Sequence, residues 1–457
     1  MDAATIPAEI VAVDDDLAAA LAAWTRAHPN ATLADHEQAV LAIARRVMAA
    51  ALRAVLTCAQ GLDRPVTRRL RTACPGCATR STPHDPVRAR QVLTICGPVR
   101  LVRPYYYCRP CRRGWAPTDR RLGLARRATL SPGAVRWAAQ VGAATTFRAA
   151  AALLADIGGL ALGVETVRTH VEQVGTAVVA ARQQTAAFVE TEREPPGPVT
   201  AAPGVLVVQA DGAQLRYLDD WHEVKLGLVA GCDPGDPHTL REPTYLAARA
   251  PAATFGALLI AEAAQRGALD VIGWEHAPGD DPAWPTVPAL AVLREVVVLG
   301  DGAPWIWSLA AEHFGRRTEI LDWYHATEHL WTLARALHGD GTPAARAWVD
   351  QAMTVLWDGG SRPLRALLAE TIAPTPDAAE VLRLQRGYFT TNAGRTDYPT
   401  YRARGLPIGS GAVESAAKQL VQARMKRAGM RWSLDGAQAV LALTAQFANA
   451  RPLLEAA

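Results

Sequence analysis

Four cysteines set the tightest limit on how this chain folds. Cys74-Pro-Gly-Cys77 and Cys108-Arg-Pro-Cys111 are separated by 30 residues, and each knuckle presents two thiolates from one tight turn, so together they can close a tetrahedral site. Four thiolates favour zinc, and a site with every position filled by protein is structural rather than catalytic. Thiols that only pack are the alternative. The turn character of Pro75-Gly76 and Arg109-Pro110 weighs against it. Between the pairs, Val92–Ile95 and Val99–Arg103 flank Gly97-Pro98 and predict a β-hairpin that runs through Tyr105-Tyr106-Tyr107 into the second knuckle. Residues 64–128 therefore read as a four-cysteine, zinc-ribbon-like basic module. Seven Cys in 457 residues are too few for a disulfide scaffold, which implies a reducing compartment.

The same stretch carries an unusual charge. Residues 64–136 hold seventeen Arg against Asp85 and Asp119, about +15 in a chain whose formal net charge is +4. Only three Lys occur in the whole chain, so part of the Arg content reflects residue bias. Bias does not explain the near absence of acids. A platform bearing Arg100, Arg103, Arg109, Arg112, Arg113, Arg120, Arg121, Arg126 and Arg127 suits DNA phosphates; a solvated face is the bland alternative.

At 457 residues the chain exceeds what one core usually serves, and its apolar half excludes disorder. Residues 1–63 predict a helical N-terminal segment. Helical spacing returns over 129–190, with a start at Ser131-Pro132 and two stretches parted by Gly158-Gly159 and Gly163; this is a helix-turn-helix for DNA or a plain packing pair. A Pro- and Gly-rich linker follows at 191–204. Beyond it come VLVVQADG, WHEVKLGLVAGC, TYLAAR, a helical stretch at 251–266, EVVVLGDG, a helix from about 304, and TEILDWYH: three strands, helix, strand, helix, strand over 205–325. Helical sequence dominates from 326 on. No basic leader or uncharged run of membrane-spanning length is present, so a soluble cytoplasmic, nucleoid-associated protein is expected.

Two apolar runs, VLVVQ and EVVVLG, each deliver an Asp followed by Gly, Asp211-Gly212 and Asp301-Gly302, where a buried strand meets solvent. Glu414 is the one acid among seven basic residues between 402 and 432, on a helix opening at Gly409-Ser410-Gly411. Glu414, Lys418, Gln422 and Lys426 stand at i, i+4 spacing. Three carboxylates of this kind can hold Mg2+ or Mn2+, two ions at one site, while Lys418, Arg424, Lys426, Arg427 and Arg431 hold phosphates. Turn-forming Asp residues and a Glu414–Lys418 ion pair would leave the same pattern.

VLGDGAPWIW, LDWYHATEHLW, YFTTNAGRTDYPTYRARGLPIGSGAVESAAKQLVQARMKRAGMRW and the upstream cysteine pairs resemble the ISKra family of bacterial insertion-sequence transposases over residues 70–445. The resemblance implies a multidomain α/β chain: an RNase H-like mixed-sheet catalytic core over 205–325, an all-helical insertion over 326–404, and a catalytic Glu helix in 405–457, preceded by the zinc-ribbon-like module and helical DNA-binding segments. It further implies Asp211, Asp301 and Glu414 as the DDE triad, one structural zinc, double-stranded DNA partners (the element's terminal inverted repeats and target DNA) and self-association into a dimer or larger assembly. Asp322-Trp-Tyr-His325 resembles the (C/D)xxH motif of such enzymes; Asp322 then orients His325, contacts DNA or ligates metal, and His325 positions a phosphate or a leaving hydroxyl, or simply starts a helix. Trp305, Trp307, Trp323 and Trp331 serve as core or as a base-stacking surface. A catalytically silent DNA-binding regulator and a structure-specific nuclease are the alternatives.

Overall fold

The computed structural model describes residues 8–60, 71–192, 204–266, 268 and 295–449. Most of the expected 191–204 linker, and the outer ends of the 1–63 and 405–457 segments, lie outside them. The chain divides into two compact units, one reaching Gln173 and the other running from Val174 to Pro452.

The first unit opens with α1 (Ala8–Ala27) and α2 (Leu33–Gln60), parted by the Pro29 segment. A reciprocal cap starts α2: Thr32 N donates to Asp35 Oδ2 at 2.8 Å and Asp35 N to Thr32 Oγ1 at 3.3 Å. Strands β1 (Thr72–Ala73) and β2 (Arg80–Ser81) pair around the first knuckle. The expected hairpin forms as β3 (Pro83–Thr94) and β4 (Gly97–Cys108), with Thr94 opposite Gly97 across a two-residue turn, and β5 (Arg113–Trp115) returns along β4 after the second knuckle. Gly97 has φ +107°, a conformation that L side chains rarely adopt. After α3 (Pro117–Arg121), Ser131 caps α4 (Pro132–Ala144) by accepting from Ala134 N at 3.2 Å. Helices α5 (Phe147–Asp156) and α6 (Val164–Glu192) follow, separated where the glycines lie. The division between units falls inside α6, upstream of the expected linker, since α6 runs unbroken through Gly175 to Glu192.

The second unit is a mixed α/β body. Strands β6 (Val205–Arg216), β7 (Trp221–Asp233) and β8 (Asp236–Ala248) form an antiparallel meander; α7 (Ala252–Gln265), β9 (Glu295–Gly300), α8 (Pro304–His313) and β10 (Arg317–Leu321) complete the order expected from the sequence. The sheet order is β10-β9-β6-β7-β8, with β9 parallel to β6 and β10 parallel to β9. Parallel central strands need cover on both faces, which is why VLVV and VVVLG are apolar throughout: every residue of Val205–Val208 and Val296–Leu299 is buried. Each such side chain contributes roughly 1.5–3 kcal/mol.

Helices α9 (Trp323–His338), α10 (Pro343–Gly359), α11 (Ser361–Glu370), α12 (Pro376–Thr391) and α13 (Tyr398–Ala403) occupy the expected insertion, broken where Gly339, Gly341 and Gly360 take positive φ. Their Leu330, Leu333, Val349, Leu356, Leu382 and Phe389 belong to the same hydrophobic cluster as the sheet. The insertion is thus continuous with the core. The chain then returns through residues 404–410 to α14 (Gly411–Ala416), a π-helical segment Ala417–Gln422, α15 (Ala423–Met425) and α16 (Leu434–Ala448). No described helix is long and apolar enough to cross a membrane.

Candidate metal centres

In the first unit the Sγ atoms of Cys74, Cys77, Cys108 and Cys111 all lie within 4.8 Å of one another, a set able to hold a metal ion. The two knuckles have matching geometry. Ala78 and Arg112, each immediately after a second cysteine, take left-handed φ values of 58° and 50°; in the first knuckle Gly76 N donates to Cys74 Sγ at 3.4 Å. Thr79 sits 3.2 Å from Cys77 Sγ, and hydrogen bonds with Thr79, Cys111 and Cys108 pull the Cys77 thiol down to about 6, while sharing hydrogen bonds with Cys77 pushes Cys111 up to about 12 and burial helps to raise Cys108.

The second centre gathers at the end of the sheet where β9 and β10 stop. Its placement corrects one expectation. Asp211 does not terminate its strand: β6 continues to Arg216 because β7 pairs with it along its whole length, and only the parallel partner β9 stops, its last pair joining Leu299 to Gln209. Asp211 therefore stands on an antiparallel ribbon that overshoots the sheet. Asp301 follows the end of β9, and Glu414 lies on the first turn of α14. Asp211 senses both: burial pushes its carboxyl above the ordinary range, Asp301 and Glu414 push the same way, and Gly212 N–H and His325 only partly oppose them.

The hydrogen bonds divide the acids into two kinds. Asp211 Oδ1 accepts from Gly212 N at 2.7 Å, Asp301 Oδ1 from Ala303 N at 2.8 Å, and Glu414 Oε1 from Ser410 Oγ at 3.0 Å. Among the described residues, the second oxygen of each has no protein partner. Asp322 differs. It is fully buried, caps α9, and has both oxygens engaged: Oδ1 accepts from His325 N at 2.8 Å and from Nδ1 at 3.0 Å, and Oδ2 accepts from Ser410 N. Burial would raise its carboxyl, but these bonds outweigh that and hold it below the usual carboxylate range. Asp322, His325 and Glu414 offer ligand atoms within 4.8 Å of one another and, among the described residues, are the group at this end of the sheet able to hold a metal; Asp211 and Asp301 do not join it. With its oxygens engaged, Asp322 suits orienting His325 and the 408–411 turn better than ligation. The bond to Asp322 raises His325 to about 9, so in this arrangement the imidazole is cationic at neutral pH beside the acids.

Three residues of the centre carried no signal in the sequence. Gln209, buried two positions before Asp211, accepts from Val413 N at 3.0 Å with Oε1 and donates from Nε2 to Gly409 O at 3.4 Å, so one amide fixes the start of α14 to β6. Tyr388 of the insertion donates to the Asp301 carbonyl at 3.0 Å and stacks on His329, with ring centroids 3.7 Å apart. A Cβ on Gly302, whose φ is +102°, would meet that Tyr388 hydroxyl at 2.9 Å, which explains the Asp-Gly pair. Tyr324 is 60% exposed while its ring lies 3.3 Å from where a Gly409 Cβ would stand. It is the exposed aromatic of this segment; the four tryptophans pack on or within the core, with Trp323 set edge-on against Trp357 and Tyr398.

Replacing Gln209 with Ala should leave the fold intact and release α14. The expected result is a Mn2+ midpoint raised about 10- to 100-fold, read by calorimetric titration; an unchanged midpoint would mean that Glu414 is held without this amide.

The basic residues also sort themselves. Arg100, Arg109, Arg112, Arg113, Arg120, Arg121, Lys418, Lys426, Arg427 and Arg431 are exposed. Two expected DNA contacts are not. Arg103 is 7% exposed and engages Asp119 through two bonds of 2.7 and 2.8 Å. Arg424 is 2% exposed beneath the Trp432 ring, and burial lowers it to about 10. Arg103 is held inward by an ion pair 16 residues away and Arg424 by packing under a ring eight residues on. The uninterrupted i, i+4 row from Glu414 to Lys426 is likewise broken, because the π-helical segment widens the turn and Lys426 lies past the end of α15.

No protein-family model matches the chain, and no curated protein matches it.

Proposed function

We propose that the chain is a DDE-type DNA transposase with an RNase H-like core, which binds the ends of its insertion sequence and cuts and joins DNA with Asp211, Asp301 and Glu414. One observation carries the reading. Asp211 on β6, Asp301 after β9 and Glu414 on α14 each keep one oxygen clear of protein partners among the described residues, and Glu414 meets Asp322 and His325 in a group whose ligand atoms lie within 4.8 Å of one another. Crowded carboxylates with spare oxygens fit divalent cations with oxygen-ligand preference, Mg2+ or Mn2+. Two such ions would supply activation of a water or 3′-hydroxyl and stabilisation of the leaving oxygen in attack on a phosphodiester. The protein's own part is to fix the acids. Gln209 holds α14, Tyr388 holds the Asp301 turn, and Asp322 holds His325 where a cationic ring can meet a phosphate oxygen.

The strand order β10-β9-β6-β7-β8, with β7 antiparallel to its neighbours, supports the RNase H-like reading, as does the resemblance to ISKra transposases. In the first unit, four thiolates fit one structural Zn2+, and the exposed arginines around it fit double-stranded DNA. Cutting two ends and rejoining them calls for a dimer or larger assembly.

The test is incubation of the purified protein with a plasmid carrying its gene and native flanks, in Mg2+ or Mn2+, with products mapped at nucleotide resolution. Metal-dependent cuts at two matching inverted ends are expected. Binding of those ends with no cut under any metal condition would replace the enzyme by a silent DNA-binding regulator, and cuts placed by junction structure alone would replace it by a nuclease.

A further inference from the structure

A cavity of about 460 Å3 lies in the first unit between the β3–β4 hairpin, α3 and the 122–129 loop. Six guanidinium-bearing residues line it, Arg88, Arg90, Arg103, Arg120, Arg126 and Arg127, against the single carboxylate of Asp119. That carboxylate is consumed at the floor: Arg90 reaches it at 2.7 Å, and Arg103 engages both of its oxygens. Arg120, Arg126 and Arg127 have no carboxylate partner among the described residues, and all three are exposed at the rim. Arg88 lies over the Tyr105 ring, 4.1 Å from its centroid.

The rim is built rather than loose. Arg90 spends its remaining donors on the carbonyls of Ala125, at 2.9 Å, and Ala128, which brackets Arg126 and Arg127 between two anchored peptides. Arg127 takes a left-handed φ of 63°, a conformation that a non-glycine residue holds at a cost. Asp119 thus organises the arginines without neutralising them. A concave site with two anchored guanidiniums at the floor, three exposed at the rim and one spent anion favours a ligand with charged oxygens on more than one side. It is also too small for a helix or a strand.

We propose that this cavity is a phosphate site that seats the DNA backbone, through Arg120, Arg126 and Arg127 over the Asp119–Arg90–Arg103 floor. The assignment rests on the DNA-binding part of the proposed function and not on the carboxylate centre. It positions the duplex and carries no sequence information, since backbone phosphates are common to all sequences.

The test uses the full zinc-loaded chain in buffer without Mg2+ or Mn2+, so that the carboxylate centre takes no part. Duplex binding is measured from low to high salt for the unaltered chain, for Arg120→Ala/Arg126→Ala/Arg127→Ala, and for the matching triple Lys variant; zinc content and circular dichroism report folding, and Arg126→Gln/Arg127→Gln serves if the triple Ala variant misfolds. The expected result is a log–log salt slope reduced by about one per guanidinium lost, with roughly tenfold or more weaker binding at physiological salt, and near-full recovery with Lys. Equal slope and affinity in a folded Ala or Gln variant would overturn the proposal. Pyrophosphate, titrated separately, distinguishes the sources: micromolar binding abolished by the variant while duplex affinity stays unchanged would assign the cavity to a free anion instead. If the unaltered chain binds no duplex at all, the broader transposase reading fails with it.

Discussion

Asp301→Asn will bind duplex DNA within about twofold of the unaltered chain and cut it about a thousandfold more slowly, if at all. The substitution is nearly isosteric. An Asn Oδ1 can still accept from Ala303 N, as Asp301 does at 2.8 Å, and the backbone carbonyl that receives the Tyr388 hydroxyl is untouched. What is lost is the charge on the oxygen that has no protein partner. Fewer like charges then surround Asp211, so its carboxyl should move back toward the ordinary range while metal affinity falls. Mn2+ titration and cleavage assays on one preparation separate the effects. Cleavage at the unaltered rate would remove Asp301 from the mechanism, and a parallel loss of DNA binding would show that the change had damaged the fold.

Cys108→Ser is expected to be more destructive than any other single change in the first unit. Cys108 is fully buried, ends β4, and stands 3.5 Å from Cys77 in sulfur separation. Loss of one thiolate opens the tetrahedral set, and small metal-pinned modules of this kind generally do not hold their fold without the ion. Zinc content should fall from one per chain to near zero, and the amides of β3 and β4 should lose hydrogen-exchange protection by at least about a hundredfold. A strong zinc chelator should reproduce the effect on the unaltered chain. Retention of protection after zinc has been removed would show that the hairpin stands on its own apolar cluster of Val92, Val99, Leu101 and Leu124.

Much of the architecture was legible because it rests on short-range rules. Unbroken Val and Leu runs marked the two central parallel strands, Gly and Pro marked the breaks between the insertion's helices, and paired cysteines marked the ribbon. The errors share one cause, a partner that only folding brings into contact. β6 outruns its apolar stretch because β7 supplies a hydrogen-bonding edge as far as Arg216. Arg103 reads like its exposed neighbours until α3 brings Asp119 to it, and Arg424 until the segment after α15 folds Trp432 back. Gln209 is an ordinary polar residue at the end of an apolar run; its role depends on Val413, 204 residues away. Asp301 was visible as a strand-end residue and Glu414 as a helix-start residue, Asp211 proved to lie within β6, and the difference between Asp301 and Asp322 emerges only from which oxygens are engaged.

The turn that brings Glu414 to the sheet closes a long excursion of the chain. Asp322 Oδ2 receives Ser410 N, and Trp323 N donates to Ile408 O at 2.9 Å, so the residues entering and leaving the helical insertion are joined at its neck. Closing a loop costs entropy that rises only with the logarithm of its length, about 0.6 kcal/mol for each doubling. Tyr388 and Tyr398 reach back from the helices to the Asp301 and Leu321 carbonyls and add two further ties at this neck. Joined in this way, the chain entering the helices at Asp322 and the chain leaving them at Ser410 are fixed to each other directly, so the start of α14 is tied to the sheet without relying on the helices between.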